Sequence, residues 1–205
     1  MHPSAEIEAG VQIGTATSVW SHVHVRGPDT AIGDECIVGE RTYIAYGVAI
    51  GDRVKINAGV YICTGVTLGD GVMVGAGVVF TNDRYPRATW PDLRELLSSA
   101  PDASTRPTTV HEGATIGAGS VIGCDLTIGR FAMVGMGALV TRSVAPFHLA
   151  VGQPARAVGV VSRAGEPLLH FSGARPPDRE RLVCPRSGLQ YAVRDGLVEE
   201  LDPPA

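Results

Sequence analysis

With 205 residues, 26 glycines, 5% aromatic side chains and a formal net charge of −4, the chain has the make-up of one aliphatic-cored domain followed by a tail. The acidic balance and the lack of a basic cluster exclude a nucleic-acid binder, and no apolar run reaches the roughly 18 residues that a membrane span needs. Met1-His2-Pro3-Ser4 has neither the basic nor the apolar region of a signal peptide, so a cytoplasmic protein is expected.

From Ile7 onward the sequence repeats a six-residue unit: an aliphatic residue, a small or polar one, two variable residues, a small or β-branched one, and a further variable one. Units begin at Ile7, Ile13, Val19 and Val25 and, after one extra residue, at Ile32, Val38, Ile44, Ile50, Ile56, Ile62, Leu68, Val74 and Phe80. Three short strands per turn separated by corners predict a triangular solenoid, with equivalent aliphatics stacked about 4.8 Å apart. Ile32, Ile50 and Leu68 should then share one face. Glycines at the second position, such as Gly33, Gly51 and Gly75, and at the fourth, such as Gly47, Gly59 and Gly77, suit corners with unusual backbone angles. A helical reading fails, because each glycine would cost about 1 kcal/mol in a helix interior.

The frame breaks after Phe80 and resumes at Val110, Ile116, Ile122, Ile128, Val134 and Val140. Residues 83–109 therefore form an insert in a regular coil, and such a loop is commonly a binding element. Within it, Pro91-Asp92-Leu93-Arg94-Glu95-Leu96-Leu97 reads as one short helix, with Pro101 and Pro107 stiffening the return. The solenoid domain is expected to span 1–156 and the tail 157–205, with Leu182–Cys184 pairing with Gln190–Val193 in a hairpin. Cys36, Cys63, Cys124 and Cys184 show no disulfide pattern.

Ile116-Gly117-Ala118-Gly119-Ser120-Val121, Val134-Gly135-Met136-Gly137-Ala138-Leu139-Val140-Thr141-Arg142 and Val151-Gly152-Gln153-Pro154-Ala155-Arg156 resemble the hexapeptide-repeat acyltransferases. That resemblance implies an all-β fold, a left-handed parallel β-helix, together with a homotrimer that binds acetyl-CoA between neighbouring helices. Phe80-Thr81-Asn82-Asp83-Arg84-Tyr85-Pro86-Arg87 is similar to the Phe-Thr-Asn-(x)n-Pro-Arg segment of N-acetyltransferases acting on nucleotide-linked amino sugars, leaning to the dTDP-3-amino-3,6-dideoxyhexose branch over the UDP-3-amino-glucuronate type. Trp20-Ser21-His22-Val23-His24 is similar to that family's early Trp-x-x-x-His segment.

Acyl transfer from a thioester to an amine needs water excluded, the partners aligned and the oxyanion stabilised. The resemblance points to Asn82 as the group that orients the amine or the carbonyl; the same residue could simply end its strand. Asp83 either holds the incoming ammonium or begins the turn. His24 contacts substrate, serves as an alternative base, or packs at a subunit seam, while Tyr85 and Arg87 reach the sugar nucleotide or lie in solvent. For the cofactor the match carries over Ala118 and Ala138, small residues beside pantetheine or plain corner residues, and Arg142, Pro154 and Arg156 near the nucleotide end. Cys63-Thr64 departs from the aromatic-acid pair that relatives carry there. In the tail, Ser162, Ala164, Cys184 and Ser187 stand where relatives have four zinc-binding cysteines, so a metal-free hairpin is expected. A carbonic-anhydrase-like metalloprotein of the γ class is disfavoured, because His22, His24 and His111 lack the three-histidine spacing; a non-catalytic scaffold is the other alternative.

Overall fold

The computed structural model describes residues 1–102, 105–173, 175–201 and 203, so positions 103 and 104 of the insert and 174, 202, 204 and 205 of the tail lie outside the described residues. Each unit's leading aliphatic ends a two- or three-residue strand, and strands three apart in sequence pair in parallel. A first face runs through Glu6–Ile7, His24–Val25, Tyr43–Ile44, Tyr61–Ile62, Val79–Phe80, Val121–Ile122 and Leu139–Val140. The second face runs from Gln12–Ile13 to Thr127–Ile128, and the third begins at Ser18–Val19. As expected, Ile32, Ile50 and Leu68 are neighbours in register. The result is a parallel β-helix.

Its core is a stack of leading aliphatics and fifth-position residues. Ile44, Ile62, Phe80, Ile116, Ile122 and Ile128 are fully buried, as are Val48, Val72 and Val78, and burial of one such side chain contributes about 1.5–3 kcal/mol. Polar fifth positions are satisfied in a recurring way. Thr17, Cys36, Thr42 and Ser120 each donate to the second-position carbonyl of a neighbouring coil, at Gly33, Gly51, Asn57 and Gly135, which removes the cost of burying an unpaired hydroxyl.

The glycines divide into two roles, and this corrects the single role read from the sequence. Fourth positions adopt positive φ whatever the residue: Gly47, Gly59 and Gly77, and also Ala16, Glu35, Arg53 and Phe131. Second-position glycines do not share that conformation; they are needed because the next coil lies against them. A Cβ on Gly75 would sit 2.5 Å from the backbone nitrogen of Ala118, whereas one on Gly77 would meet nothing within 4 Å.

The insert leaves the coil after Phe80 and returns at the strand Thr108–Val110. Its expected helix at 91–97 does not form; every regular element among the described residues is a strand. Instead Leu93 takes a φ of 61°, its N–H donates to the Trp90 carbonyl, and Trp90 and Leu97 bond to Glu95 and Ala88 across a tight turn. Seven residues are too few to repay helix nucleation. Asp92 moreover accepts from the Arg94 N–H, the local bond that diverts aspartate from helices.

The strand Ala155–Val161 runs across residue 156 and joins the tail to the third face through antiparallel pairing with His148–Gly152. The expected hairpin forms, with Leu182 opposite Tyr191 and Val183 opposite Gln190, and Leu197–Glu200 adds a third strand. Glu200 fixes this sheet to the coil. Its side chain is 3% exposed, and it takes both Arg163 nitrogens at 2.5 and 3.0 Å and Arg130 at 3.2 Å. The two glycine roles are separable by mutation: Gly75→Ala is expected to cost about 3 kcal/mol through overpacking, and Gly77→Ala about 1 kcal/mol through its backbone angle. Urea unfolding of both variants measures this, and equal losses would refute the assignment.

Candidate functional site

Stacking of the first face sets three outward rings one above another. His24 pairs with Tyr43 and Tyr43 with Tyr61 in the ladder. The two tyrosine rings stack at 5.2 Å and 7°, and His24 meets Tyr43 edge-on at 5.5 Å. Glu8 braces this column by accepting from His24 Nε2 at 2.9 Å, Arg26 Nε at 3.2 Å and the Gly27 N–H at 3.1 Å. The His24 hydrogen bond, with Gly27 and Arg26 adding to it, holds the Glu8 carboxyl below its ordinary value. The Tyr43 hydroxyl and then Glu8 raise that of Arg26, whose guanidinium lies 5.3 Å over Tyr46.

A cleft of about 370 Å³ opens where this column meets the insert. Arg26, Tyr43, Tyr61, Cys63, Asn82 and Asp83 line it from the coils, and Ser98 to Asp102 from the insert. Asn82 follows the strand Val79–Phe80 and lines this cleft. Its backbone carbonyl accepts from the Arg106 N–H at 3.0 Å, anchoring the returning insert. Its side-chain Nδ2 donates to the Thr64 carbonyl at 3.5 Å, while Oδ1 has no hydrogen-bond partner among the described residues, leaving an acceptor in the cleft. Asp83 lines the same space. His24 lies behind Tyr43 and does not line it.

Tyr85 and Arg87 are set apart from Asn82, in a second cleft of about 430 Å³ that also holds Arg84, Trp90, Leu97 and Arg106. Asp83, Ser98 and Asp102 form a wall common to both clefts. Arg84 reaches back to Asp125 at 3.2 Å and ties the insert to the coil that follows it.

The residues expected to hold the cofactor flank the first face. Ala118 is an exposed corner residue, and its carbonyl accepts from Gly137. Gln153, just before Pro154, donates to the Gly137 carbonyl at 2.7 Å. Arg142 stands exposed beyond the opposite end of the strand Leu139–Val140, and Arg156 is exposed on the strand that follows Pro154. Ala138, at 1% exposure, turns its methyl into the core, as its fifth-position place in the repeat dictates. Between these edges run the exposed side chains Tyr61, Val79, Val121 and Leu139, successive rungs of the same ladder.

Arg26, Tyr43, Tyr46, Tyr61, Trp90 and Arg106 were not singled out from the sequence. For the tyrosines a signal existed: His24, Tyr43 and Tyr61 occupy the residue before a leading aliphatic in successive coils, so the repeat alone stacks them. For Trp90 and Arg106 there was none, because the insert has no period.

Comparison with known proteins agrees with this architecture. Residues 47–82 match the family model "Bacterial transferase hexapeptide (six repeats)" and residues 30–63 "Hexapeptide repeat of succinyl-transferase"; these segments are similar to those repeats. Over 94 residues it is 37% identical to the dTDP-3-amino-3,6-dideoxy-α-D-galactopyranose 3-N-acetyltransferase of Aneurinibacillus thermoaerophilus, a match covering 46% of this chain and 45% of that relative. The chain thus aligns with about half the length of this curated relative. Among solved structures, a mutant of AntD, an N-acyltransferase from Bacillus cereus, in complex with dTDP and coenzyme A superimposes with a TM-score of 0.61 at 21% identity, covering 74% of this chain and 85% of that one. A second AntD mutant, with dTDP-4-amino-4,6-dideoxyglucose and coenzyme A, gives 0.60 at 17% identity, covering 74% and 84%. At these identities the likeness is one of fold.

No group of three or more His, Cys, Asp or Glu side chains is arranged for a metal among the described residues, and no helix is long and apolar enough to cross a membrane. Two of the four tail positions that the resemblance matches to cysteines lie together in this structure. Cys184 Sγ lies 3.2 Å from Ser162 Oγ; burial pushes its thiol up, but hydrogen bonds from Ser162, Ser187 and nearby amides outweigh this and bring it to about 7. Introducing Ser162→Cys, Ala164→Cys and Ser187→Cys together is expected to produce a tail that retains one zinc per chain, read by metal analysis after dialysis; a metal-free triple variant would refute that expectation.

Cys63, on the cleft wall, is the opposite case: burial pushes its thiol up to about 12. At pH 8 it is fully protonated, so it is no nucleophile. A thiol reagent at pH 8 is expected to modify half-buried Cys124 first and to reach buried Cys63 and Cys36 only on unfolding. Mass mapping of the modified sites checks the order, and early labelling of Cys63 would overturn it.

Proposed function

We propose that this protein is a hexapeptide-repeat, acetyl-CoA-dependent N-acetyltransferase for the amino group of a nucleotide-linked amino sugar, with a dTDP-3-amino-3,6-dideoxyhexose as the favoured class. The reading takes the coil as left-handed and the working form as a homotrimer in the cytoplasm. The observation that carries it is Asn82. It lines a cleft with Asp83, held by Arg106 and Thr64 and with its Oδ1 open, at the point where the chain resembles the Phe-Thr-Asn segment of those enzymes. The identity to an N-acetyltransferase of a dTDP-amino sugar supports the same substrate class.

In this reading the substrate ammonium is drawn to Asp83 and enters as the neutral amine once a proton is lost to solvent. Asn82 Oδ1 accepts one amine N–H and so aims the nitrogen lone pair at the thioester carbonyl. The nitrogen attacks that carbon, the tetrahedral oxyanion collapses, and the carbon–sulfur bond breaks. The amine proton passes to the departing sulfur, giving amide and CoA thiol. No side-chain base is required, because a neutral amine is already a good nucleophile. Tyr43 and Tyr61 offer an aromatic wall to the apolar side of a deoxy sugar.

The pantetheine arm is assigned to the corner at Ala118, with Arg142, Pro154 and Arg156 toward the nucleotide end. The exposed ladder Val79, Val121 and Leu139 between these residues fits cover by a second copy, which would turn the face into a closed groove and exclude water. Asn82→Ala is expected to lower the acetylation rate at least about tenfold, in line with the loss of an orienting contact, while leaving the oligomer intact. Thiol release from acetyl-CoA against dTDP- and UDP-linked amino sugars, with light scattering, measures both. Unchanged kinetics would reduce Asn82 to a strand end, and no turnover with any amine would overturn the enzyme reading.

A further inference from the structure

The second cleft carries a chemistry that acyl transfer itself does not need. Arg87 and Arg106 line it with the aromatic faces of Tyr85 and Trp90. Guanidinium forks match phosphate oxygens in pairs, and an indole face stacks any nucleobase, worth about 1–3 kcal/mol per base. Trp90 is 57% exposed, yet its backbone is held on both sides, its N–H by the Glu95 carbonyl at 3.1 Å and its carbonyl by the Leu93 N–H at 2.9 Å. The ring is therefore presented from an ordered turn. Arg87 spends Nη1 on the Pro86 carbonyl at 2.9 Å, a bond that orients the guanidinium while four further donors remain of the five such a group has.

The first cleft differs. Its one arginine, Arg26, is engaged by Glu8 and Tyr43, and Asn82 and Asp83 line it. Asp83, Ser98 and Asp102 line both clefts, so the two share their carboxylates, and what sets the second apart is Arg87 and Arg106 beside Tyr85 and Trp90. Arg84, the remaining guanidinium of the second chamber, is paired with Asp125 and acts as the insert's anchor.

We propose that the insert's second cleft binds the nucleoside diphosphate half of the acceptor, with Trp90 stacking on the base and Arg87 and Arg106 holding the diphosphate. The amine-bearing sugar then crosses the shared wall into the cleft of Asn82. This assignment rests on the reading of the acceptor as nucleotide-linked.

The test uses Trp90 as its own reporter. In the full chain carrying Trp20→Phe, which leaves Trp90 as the one tryptophan, dTDP and UDP are titrated without acetyl-CoA. Saturable quenching is expected, with inorganic pyrophosphate competing and thymidine alone binding at least tenfold more weakly. Arg87→Ala and Arg106→Ala are each expected to raise the Kd at least tenfold, and calorimetry with Trp90→Ala should show a similar loss. Binding of coenzyme A should be unaltered in all three variants, which controls for misfolding. Absence of quenching at millimolar nucleotide, or an unchanged Kd in both arginine variants, overturns the proposal. Failure of the two readings is distinguishable. Nucleotide binding that depends on these residues without acetyl transfer to any amino sugar removes the transferase and leaves this site standing. Acetyl transfer whose acceptor KM is untouched in the three variants removes this site alone.

Discussion

Everything in this protein depends on the close approach of one coil to the next. A stack repeating at the strand spacing of about 4.8 Å has no room for a side chain wherever a corner lies flat against its neighbour, and glycine is the residue that fits. The same corner must turn in one residue, so the fourth position takes positive φ even where Glu35, Arg53 or Phe131 occupies it. Those residues tolerate the angle because each coil is pinned above and below by hydrogen bonds; Arg53, for instance, donates its N–H to the Asp34 carbonyl and its unit pairs on both sides.

Rigid stacking has a functional consequence. Side chains at one place in successive coils become a column, so His24, Tyr43 and Tyr61 form a wall without any dedicated packing, and Val79, Val121 and Leu139 extend it as an apolar strip. A column of this kind cannot close around a small molecule. The insert supplies the missing side: it leaves at Asn82, is fastened by Arg84 to Asp125 and by the Arg106 N–H to Asn82, and stands its 98–102 segment opposite the tyrosines. The scaffold thus holds one side of the cleft, and the insert brings the groups that differ from coil to coil.

The tail follows another logic. It has no repeat to stack and too few aliphatics for a core of its own, so it packs Phe147, Tyr191 and Cys184 into a small cluster against Phe131. Glu200 between Arg163 and Arg130 adds a desolvated ionic tie. Breaking such a tie leaves an uncompensated buried charge, which is costlier than never having had one. A cysteine-bound metal would do the same work of fixing short strands to a coil, and here the cluster and the ion pairs do it.

By itself the sequence determined the solenoid, its register, the place of the insert and the pairing of the tail hairpin, because a six-residue period makes local pattern and tertiary contact the same information. The period located the break after Phe80, and the resemblance of the segment there drew attention to Asn82 and Asp83. Only the tertiary structure decided what the period does not encode. It parted the glycines into those that turn and those that make room, since both look alike in sequence and differ only by what lies against them. It set Tyr85 and Arg87 in a cleft separate from that of Asn82. It replaced the helix at 91–97 with a turn, because an aperiodic segment takes its shape from the walls it meets, and here that shape set Trp90 and Arg106 beside Arg87.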